Sequence, residues 1–376
     1  FWQNYPKELE VADGRVIAHL WPAHNAPRRH EAKDINAHNV HMLFFAHEGE
    51  ELDFQMPKEF AAKFTKQAKP EFYYIPPAVD NANAMGIAKT HEMMWHFHKA
   101  GESPAAVSKA FAEGVFCMAA PEWMCAAQTF RVEPMQPADA KAFPDKEWAI
   151  SAMWDCERRL EELTTDYGMW NFKDGHNGWI PEEKRWGVNR TWRNTHHGSP
   201  RVAWILYARS GDPKYLVYAR RNTRHCMDVD FCHYSTPEFE ALSYPRQKIK
   251  GALNDYKGLV HWHAGGRLFD YNNMADFLLY NYYMTGDRRS LDVLDEWREA
   301  AVVRYQKPSA GRGGAGPLAA LLAAYQHTWD ERLWPLIQAY ARTMMSSQAA
   351  DGSMGGWHEY APWLDRYHRF TGDPAA

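Results

Sequence analysis

The chain has 376 residues, 45% hydrophobic and 24% charged, with a net charge of −4. These are the proportions of a globular protein of two or three domains, and they give no electrostatic case for nucleic acid or an anionic membrane surface. No run of some 18 apolar residues occurs, so no membrane-spanning helix is expected.

The composition departs from the ordinary in its 17 Trp, 19 Tyr and 19 His. Most such rings pack in a core, but those set in loops beside His and Arg suit a sugar-binding cleft, because an aromatic face stacks on the C–H face of a pyranose. Cys117, Cys125, Cys156, Cys226 and Cys232 form an odd set with no CxxC pair. Cys117 with Cys125, or Cys226 with Cys232, can pair in an oxidising compartment; buried free thiols are the equal alternative. The chain starts at Phe1 without an initiator Met or a signal-like segment. A longer parent is therefore expected, with a further hairpin after Ala376 and a secreted or periplasmic location whose leader is not part of this chain.

In chain order, residues 1 to about 130 read as β-rich. Val16 to Trp21 is a strand candidate ending at Pro22, and His38 to Phe45 is another. Pro57 to Lys69 reads as a short helix, while Pro76-Pro77 and Asp80 to Asn83 mark loops. Lys89 to His98 (KTHEMMWHFH) alternates like a strand with one covered face, and Thr90, His91 and Glu92 lie on that strand with Trp95 and His96. A helix follows Ser103-Pro104, capped by Ser103 and stopped at Gly114. The Pro- and Ala-rich stretch from Pro134 to Asp145 is the candidate boundary, dividing a β-rich, sandwich-like domain (1–137) from a helical domain (138–376).

From about Glu147 the period becomes helical. Trp148 to Thr164 is one helix, and hairpins follow with turns at Gly211-Asp212, Gly286-Asp287, Trp329-Asp330 and Gly372-Asp373. Asp212 can cap its helix, with Pro213 at the first helical position where a missing N–H costs nothing. Asp287, Asp330 and Asp373 lie 43 positions apart, the period of a solenoid or a closed ring of hairpins. The leading helices (VAWILYA, MADFLLYNYYM, PLAALLAAY) are apolar on most faces, as an inner wall requires; Arg288 to Tyr305 is amphipathic and suits an outer one. The expected fold is thus α+β and multidomain, an antiparallel β-sandwich segment followed by an α/α toroid. In such a ring the loops entering the inner helices share one rim: Asn189–Ser199, His261–Asn273, Lys307–Gly316 and Asp351–Tyr360. They concentrate Gly, Arg, His and Trp.

The candidate chemistry sits on that rim. His225, Asp228, Asp230 and His233 offer hard oxygen and imidazole ligands within nine residues, enough for a divalent cation such as Ca or Mn. The alternative is a structural network in which the carboxylates cap backbone N–H groups and orient the His rings. Asn189 and Arg193 can meet a carboxylate through charge-assisted hydrogen bonds. His196 and His197 precede Pro200, and one of the two faces inward. His261 and His263, two apart in an extended loop, face the same way. Trp192, Trp262, Arg267, Arg312, Trp357 and His358 complete the substrate-binding candidates. Gly311 to Gly316 is not a phosphate loop, since no strand precedes it and no Lys-Ser/Thr follows; it reads as a flexible loop bearing Arg312. No GxSxG elbow is present.

Five stretches carry a resemblance. RHCMDVDFCHY (Arg224–Tyr234), the His261-Trp262 pair and FLLYNYYMTGD (Phe277–Asp287) resemble the α/α toroid of the exo-rhamnogalacturonan lyase-like (YetA-like) family. GIAKTHEMMWHFH (Gly86–His98) and AAPEWMCAA (Ala119–Ala127) resemble the end of that family's central β-sandwich. The resemblance implies a sandwich and a toroid without the family's N-terminal barrel, and a lyase cutting an acidic, rhamnogalacturonan-like polysaccharide from an end. The loop RLFDYNN (Arg267–Asn273) and the His-rich stretch from Arg28 to Phe54 depart from the family pattern.

β-Elimination of that kind needs the uronate carboxylate neutralised, a base for the C5 proton and an acid for the leaving oxygen. Arg193, Asn189 or a cation can serve first, His197 or His233 as base, and Tyr234 or a His as acid. Two other functions fit the residues. An inverting hydrolase would pair Asp230 with Glu359 or Asp270. A non-catalytic glycan binder would use Trp170, Trp192, Trp262 and Trp357.

Overall fold

A computed structural model describes residues 8–19, 86–114, 118–131, 133, 135–164, 177–180, 185–188, 199–237, 250–252, 275–353 and 361–375. In chain order these hold β1 (Glu8–Ala12), β2 (Arg15–His19), α1 (Ala105–Glu113), α2 (Pro121–Ala126) and α3 (Pro144–Thr164). Next come β3 (Asn177–Ile180), β4 (Arg185–Val188), α4 (Ser199–Ser210), α5 (Pro213–His225) and a π-helical turn, Cys226–Asp230. The rest is α6 (Asp276–Thr285), α7 (Arg289–Arg304), α8 (Arg312–Thr328), α9 (Trp334–Met345) and α10 (Ala361–Thr371).

The expected β-sandwich is not found among the described residues. Among the described residues the strands form two separate two-stranded antiparallel sheets, β1 with β2 and β3 with β4, and helix dominates. The β1–β2 hairpin turns on Asp13 and Gly14, both in the left-handed region (φ 52° and 71°), which suits the right-handed twist of the paired strands. Its apolar side chains Leu9 and Val11 remain exposed, so no second sheet covers them. Lys89 to His98 joins no ladder. Alternation of side chains records an extended backbone, and a ladder needs a partner strand as well. Here Ala88 N–H donates to the Asp228 carbonyl (2.8 Å) instead. The β3–β4 hairpin, which pairs Trp179 with Trp186, interrupts a region expected to be helical throughout. The strand and helix candidates at His38–Phe45 and Pro57–Lys69 lie outside the described residues.

The hairpins themselves follow from a repeated local device. Ser210-Gly211-Asp212, Thr285-Gly286-Asp287, Thr328-Trp329-Asp330 and Thr371-Gly372-Asp373 close four helices in the same way. The hydroxyl donates back to the carbonyl four residues earlier, at 2.6 to 2.8 Å. The next residue is left-handed (φ 69°, 73°, 54° and 73°) and returns its N–H to the helix at 2.7 to 2.8 Å. The Asp carboxylate then accepts from the N–H two residues on, at 2.9 to 3.0 Å. Each turn thus satisfies the last carbonyls of one helix and a free donor of the following segment. Trp329 alone adopts the left-handed conformation without being glycine. Its ring lies against Tyr325 and Phe370, centroids 5.4 and 6.3 Å away.

The leading helices pack in sequence, α4 on α6, α6 on α8 and α8 on α10, and each of the first three also packs on its own partner. Phe277 to Asn281 of α6 and Ala315 to Gln326 of α8 are buried throughout, as all-round apolar helices must be. On α7 buried Val293, Leu294, Trp297, Ala300 and Ala301 make one face. The GRGGAG stretch is a correction to the flexible loop expected there, because Arg312 to Gly316 already belong to α8. A Cβ at Gly314 would lie 2.1 Å from the Ser309 carbonyl oxygen, so glycine serves close packing at the helix start.

Residues from the β-rich half are built into this helical body. Phe130 is fully buried and stacks on Tyr280 of α6 at 3.9 Å. Arg209 of α4 donates to the Gln136 carbonyl (2.8 Å) and to Glu147 of α3 (2.5 Å). Cys125, Cys156, Cys226 and Cys232 are free thiols, so the Cys226–Cys232 bridge is not formed. No helix among the described residues is long and apolar enough to cross a membrane.

Candidate functional site

Two polar centres are buried in a body otherwise packed with apolar side chains. The first lies where α4, α6 and α10 begin, the helices that follow the Arg-, His- and Trp-rich stretches of the sequence. Arg201 and Asp276 occupy the first turns of α4 and α6, and Trp363 that of α10, with Arg366 one turn further on. Arg201 Nη2 donates to both Glu133 oxygens (2.5 and 2.6 Å), and its Nε donates to Asp276 (3.2 Å). Arg366 grips the same Asp276 through both Nη atoms (2.6 and 3.2 Å). Tyr280 O–H donates to Glu133 at 3.1 Å. The Trp363 ring lies 4.8 Å from the Arg201 guanidinium and 5.5 Å from that of Arg366, within cation–π range.

Asp276 and Arg366 are 1% and 2% exposed, so this is an ion cluster removed from water, two guanidiniums against two carboxylates. Burial, with the negative charges of Asp276 and Glu133, holds the Tyr280 phenol well above its ordinary range. Burial disfavours the charged guanidinium of Arg366, but Asp276 and the other partners outweigh it and hold that group above its usual value. The cluster ties the starts of three helices and the segment carrying Glu133 to one point.

The second centre is the π-helical turn within Arg224–Tyr234. Such turns accommodate an extra residue and recur at functional sites. Asp228 is buried and accepts from Thr90 N–H and Thr90 Oγ1, both at 2.7 Å. Glu92 forms an ion pair with Arg224, and His233 N–H donates to the Gly86 carbonyl (2.7 Å). Gly86 to Glu92 is thereby strapped along the turn. Burial and the charge of Arg224 hold the Lys89 ammonium below its ordinary range, with Asp228 pulling the other way. Gly86 has φ 82°, and a Cβ there would meet Cys232 Sγ at 2.4 Å and the Tyr234 carbonyl at 2.6 Å. Gly86→Ala is expected to destabilise by about 1–3 kcal/mol through strain and overpacking. A urea-unfolding midpoint unchanged from wild type would show that the strap does not rest on this contact.

His233 has both ring nitrogens engaged. Nε2 faces the Met227 carbonyl (2.5 Å) and Nδ1 faces Glu296 Oε2 of α7 (2.6 Å). A carbonyl only accepts, so Nε2 donates to it. Arg289 Nη2 also lies 3.3 Å from Nδ1, so the ring expected to serve as base or ligand is packed among a carbonyl, a carboxylate and a guanidinium. Burial pushes the Glu296 carboxyl up, but the hydrogen bond and charge of His233, with Arg289 and Lys250, bring it below its ordinary value of 4.5. A depressed carboxyl stabilises the fold above its unfolded-state range and loses that contribution as the pH falls through its folded value. The stability advantage of wild type over Glu296→Gln should hold at neutral pH and shrink as the pH drops below about 4, seen in urea midpoints across pH. A difference independent of pH would remove the His233–Glu296 pair as its source.

The four metal candidates do not converge. Among the described residues no three His, Cys, Asp or Glu side chains come together as a metal-binding group. The Asp228 carboxylate caps Thr90, the His233 ring is committed, and His225 and Asp230 are buried. Tyr234 is exposed. Arg312 lies in the first turn of α8. Asn189, Trp192, Arg193, His196, His197, His261, Trp262, His263, Arg267, Trp357 and His358 lie outside the described residues, as do Trp170, Asp270 and Glu359. Sequence reasoning missed Glu133, Arg201, Asp276 and Arg366, together with Lys89 and Glu296. A signal was present in Asp276, a carboxylate inside a helix otherwise apolar on every face, because such a group is tolerated only with a buried partner.

No protein-family model matches the chain. Over 143 residues it is 27% identical to the "Uncharacterized protein YetA" of Bacillus subtilis (strain 168), covering 36% of this chain and 14% of that protein. The chain thus matches only a small part of its relative's length. In that stretch it is similar to YetA.

Proposed function

We propose that the protein is a polysaccharide lyase that cleaves a uronic-acid-containing, rhamnogalacturonan-like polysaccharide by β-elimination, working from a chain end. The observation that carries this is the ion cluster of Glu133, Arg201, Asp276 and Arg366. It anchors the beginnings of three helices, and the loops entering those helices hold Asn189 and Arg193, His196 and His197, His261 and His263, and Trp357 and His358. Chemistry on loops needs a rigid base, and the cluster supplies one. Similarity to YetA over part of the chain is compatible with this assignment.

In the proposed reaction Arg193 and Asn189 hold the uronate carboxylate and stabilise the charge that develops on it. His197 removes the C5 proton, the C4–O bond breaks, and a C4=C5 double bond forms. Tyr234, exposed at the end of the π-helical turn, protonates the departing oxygen. With His233 committed to Glu296, His263 is the second candidate base. No step requires a cation; a Ca or Mn ion would aid only by neutralising the carboxylate.

The test is incubation with a panel of uronate polysaccharides. A rise in the ultraviolet absorbance of an unsaturated uronide is expected. New reducing ends without that absorbance would establish a hydrolase instead, and binding without products a glycan-binding protein.

A further inference from the structure

We infer that Arg131, Tyr282, Tyr283 and His327 form a second binding site, for a carboxylate carried on a sugar ring. Asp276, Tyr280 and Tyr283 lie on one stripe of α6 at spacings of four and three residues. Asp276 belongs to the ion cluster and Tyr280 receives Phe130. Tyr283, one turn further along, meets Arg131 and His327, so this group is separated from the cluster along the helix.

Arg131 has φ 61°, and Gln128, whose carbonyl accepts the Arg131 N–H at 2.7 Å, has φ 51°. Left-handed non-glycine residues persist where their surroundings over-determine them, and they gather at ligand sites and clamps. Buried Phe130 and Glu133 hold this segment. Its Arg131 side chain is exposed, with the guanidinium 5.7 Å from the Tyr283 ring centre. Among the described residues no carboxylate pairs with Arg131, whereas neighbouring Arg298 is paired with Asp295 (2.9 Å) and Asp330 (3.1 Å).

The rings complete the site. Tyr283 lies 5.8 Å and Tyr282 5.9 Å from His327, and the two tyrosines are 6.0 Å apart. All three are half-buried. The Tyr283 hydroxyl lies 3.2 Å from His327 Nδ1. When the phenol donates to Nδ1, His327 presents an N–H at Nε2. Burial, with the charges of Arg131 and Arg298, keeps His327 below its ordinary range against the pull of Asp295, so the ring is neutral near pH 7. An unneutralised guanidinium and an imidazole N–H suit one carboxylate, and the tyrosine rings suit the sugar that bears it.

The ligand class is that of the proposed substrate, but binding here involves no turnover, so failure of the lyase assignment and failure of this site are seen separately. The full chain is titrated with galacturonate, with galactose and with inorganic phosphate, following affinity by calorimetry and the His327 imidazole by NMR across pH. Galacturonate is expected to bind and to raise the His327 titration midpoint, because an adjacent carboxylate favours the imidazolium; galactose and phosphate should not. Arg131→Gly removes the charge while relieving the left-handed backbone, so it should melt no lower than wild type and bind galacturonate about tenfold or more weakly. Arg131→Asn, also tolerant of this conformation, should behave alike if the glycine variant folds poorly. Wild-type affinity in both variants, an unmoved His327 midpoint, or an equal response to phosphate would overturn the site.

Discussion

Asp276→Asn should destabilise the protein by about 3–5 kcal/mol, the range for removing one charge from a buried ion pair. In the native state this carboxylate is 1% exposed and accepts from both Arg201 and Arg366. The amide leaves two guanidiniums, that of Arg366 fully buried, facing Glu133 alone, a net positive charge largely removed from water. The expected readout is a lower urea midpoint with an unchanged slope, since the surface exposed on unfolding is the same. Adding Arg366→Met should recover part of the loss, because Arg201 and Glu133 then remain as a neutral, bidentate pair. Arg366 Nε has no hydrogen-bond partner among the described residues, which favours recovery further. A loss below about 1 kcal/mol in the single variant, within the range of exposed ion pairs, would mean that the cluster is hydrated and does not anchor the helix starts.

His197→Ala should lose most turnover on a uronate polysaccharide, by about 10²–10⁴-fold for a truncated general base, while keeping its fold and much of its substrate affinity. Arg193→Ala should weaken binding and turnover together, because carboxylate neutralisation acts in both the ground and the transition state. His196→Ala is the control, with a mild effect. A dead His196→Ala variant with an active His197→Ala would reverse the facing of the two rings. If neither matters, His263 becomes the base. Near-normal activity in His196→Ala, His197→Ala, His263→Ala and Arg193→Ala alike would eliminate the mechanism.

Legibility followed the range of the interactions. Asp212 with Pro213, and Gly114, could be read because capping joins groups a few residues apart: Asp212 accepts from Lys214 N–H, and Gly114 N–H donates to the Ala110 carbonyl, whereas the N-cap expected at Ser103 falls on Pro104. The 43-residue recurrence of Asp likewise marked real turns, although the Ser or Thr two positions before each Asp carries half of the device and went unread. Lys89 to His98 was misread for a physical reason. An extended chain alternates its side chains whether it pairs with a strand or is strapped along a π-helical turn, and only the partner distinguishes them.

The site divides in the same way. Arg224 to Tyr234 stood out in the sequence through its crowding of titratable groups, which local reading can see. Its chemistry was set by Thr90, 138 residues from Asp228, and by Glu296, 63 residues from His233. Glu296 turned an apparent base into half of a closed hydrogen-bonded pair. The ion cluster draws Glu133, Arg201, Asp276 and Arg366 from separated segments, each an unremarked charge in its own neighbourhood. The sequence alone thus determined the turns that close the helical hairpins, because those interactions close within one turn of chain. Tertiary structure alone decided which charges are buried together and what the His233 ring is packed against, because desolvation and pairing depend on neighbours that only packing brings within reach.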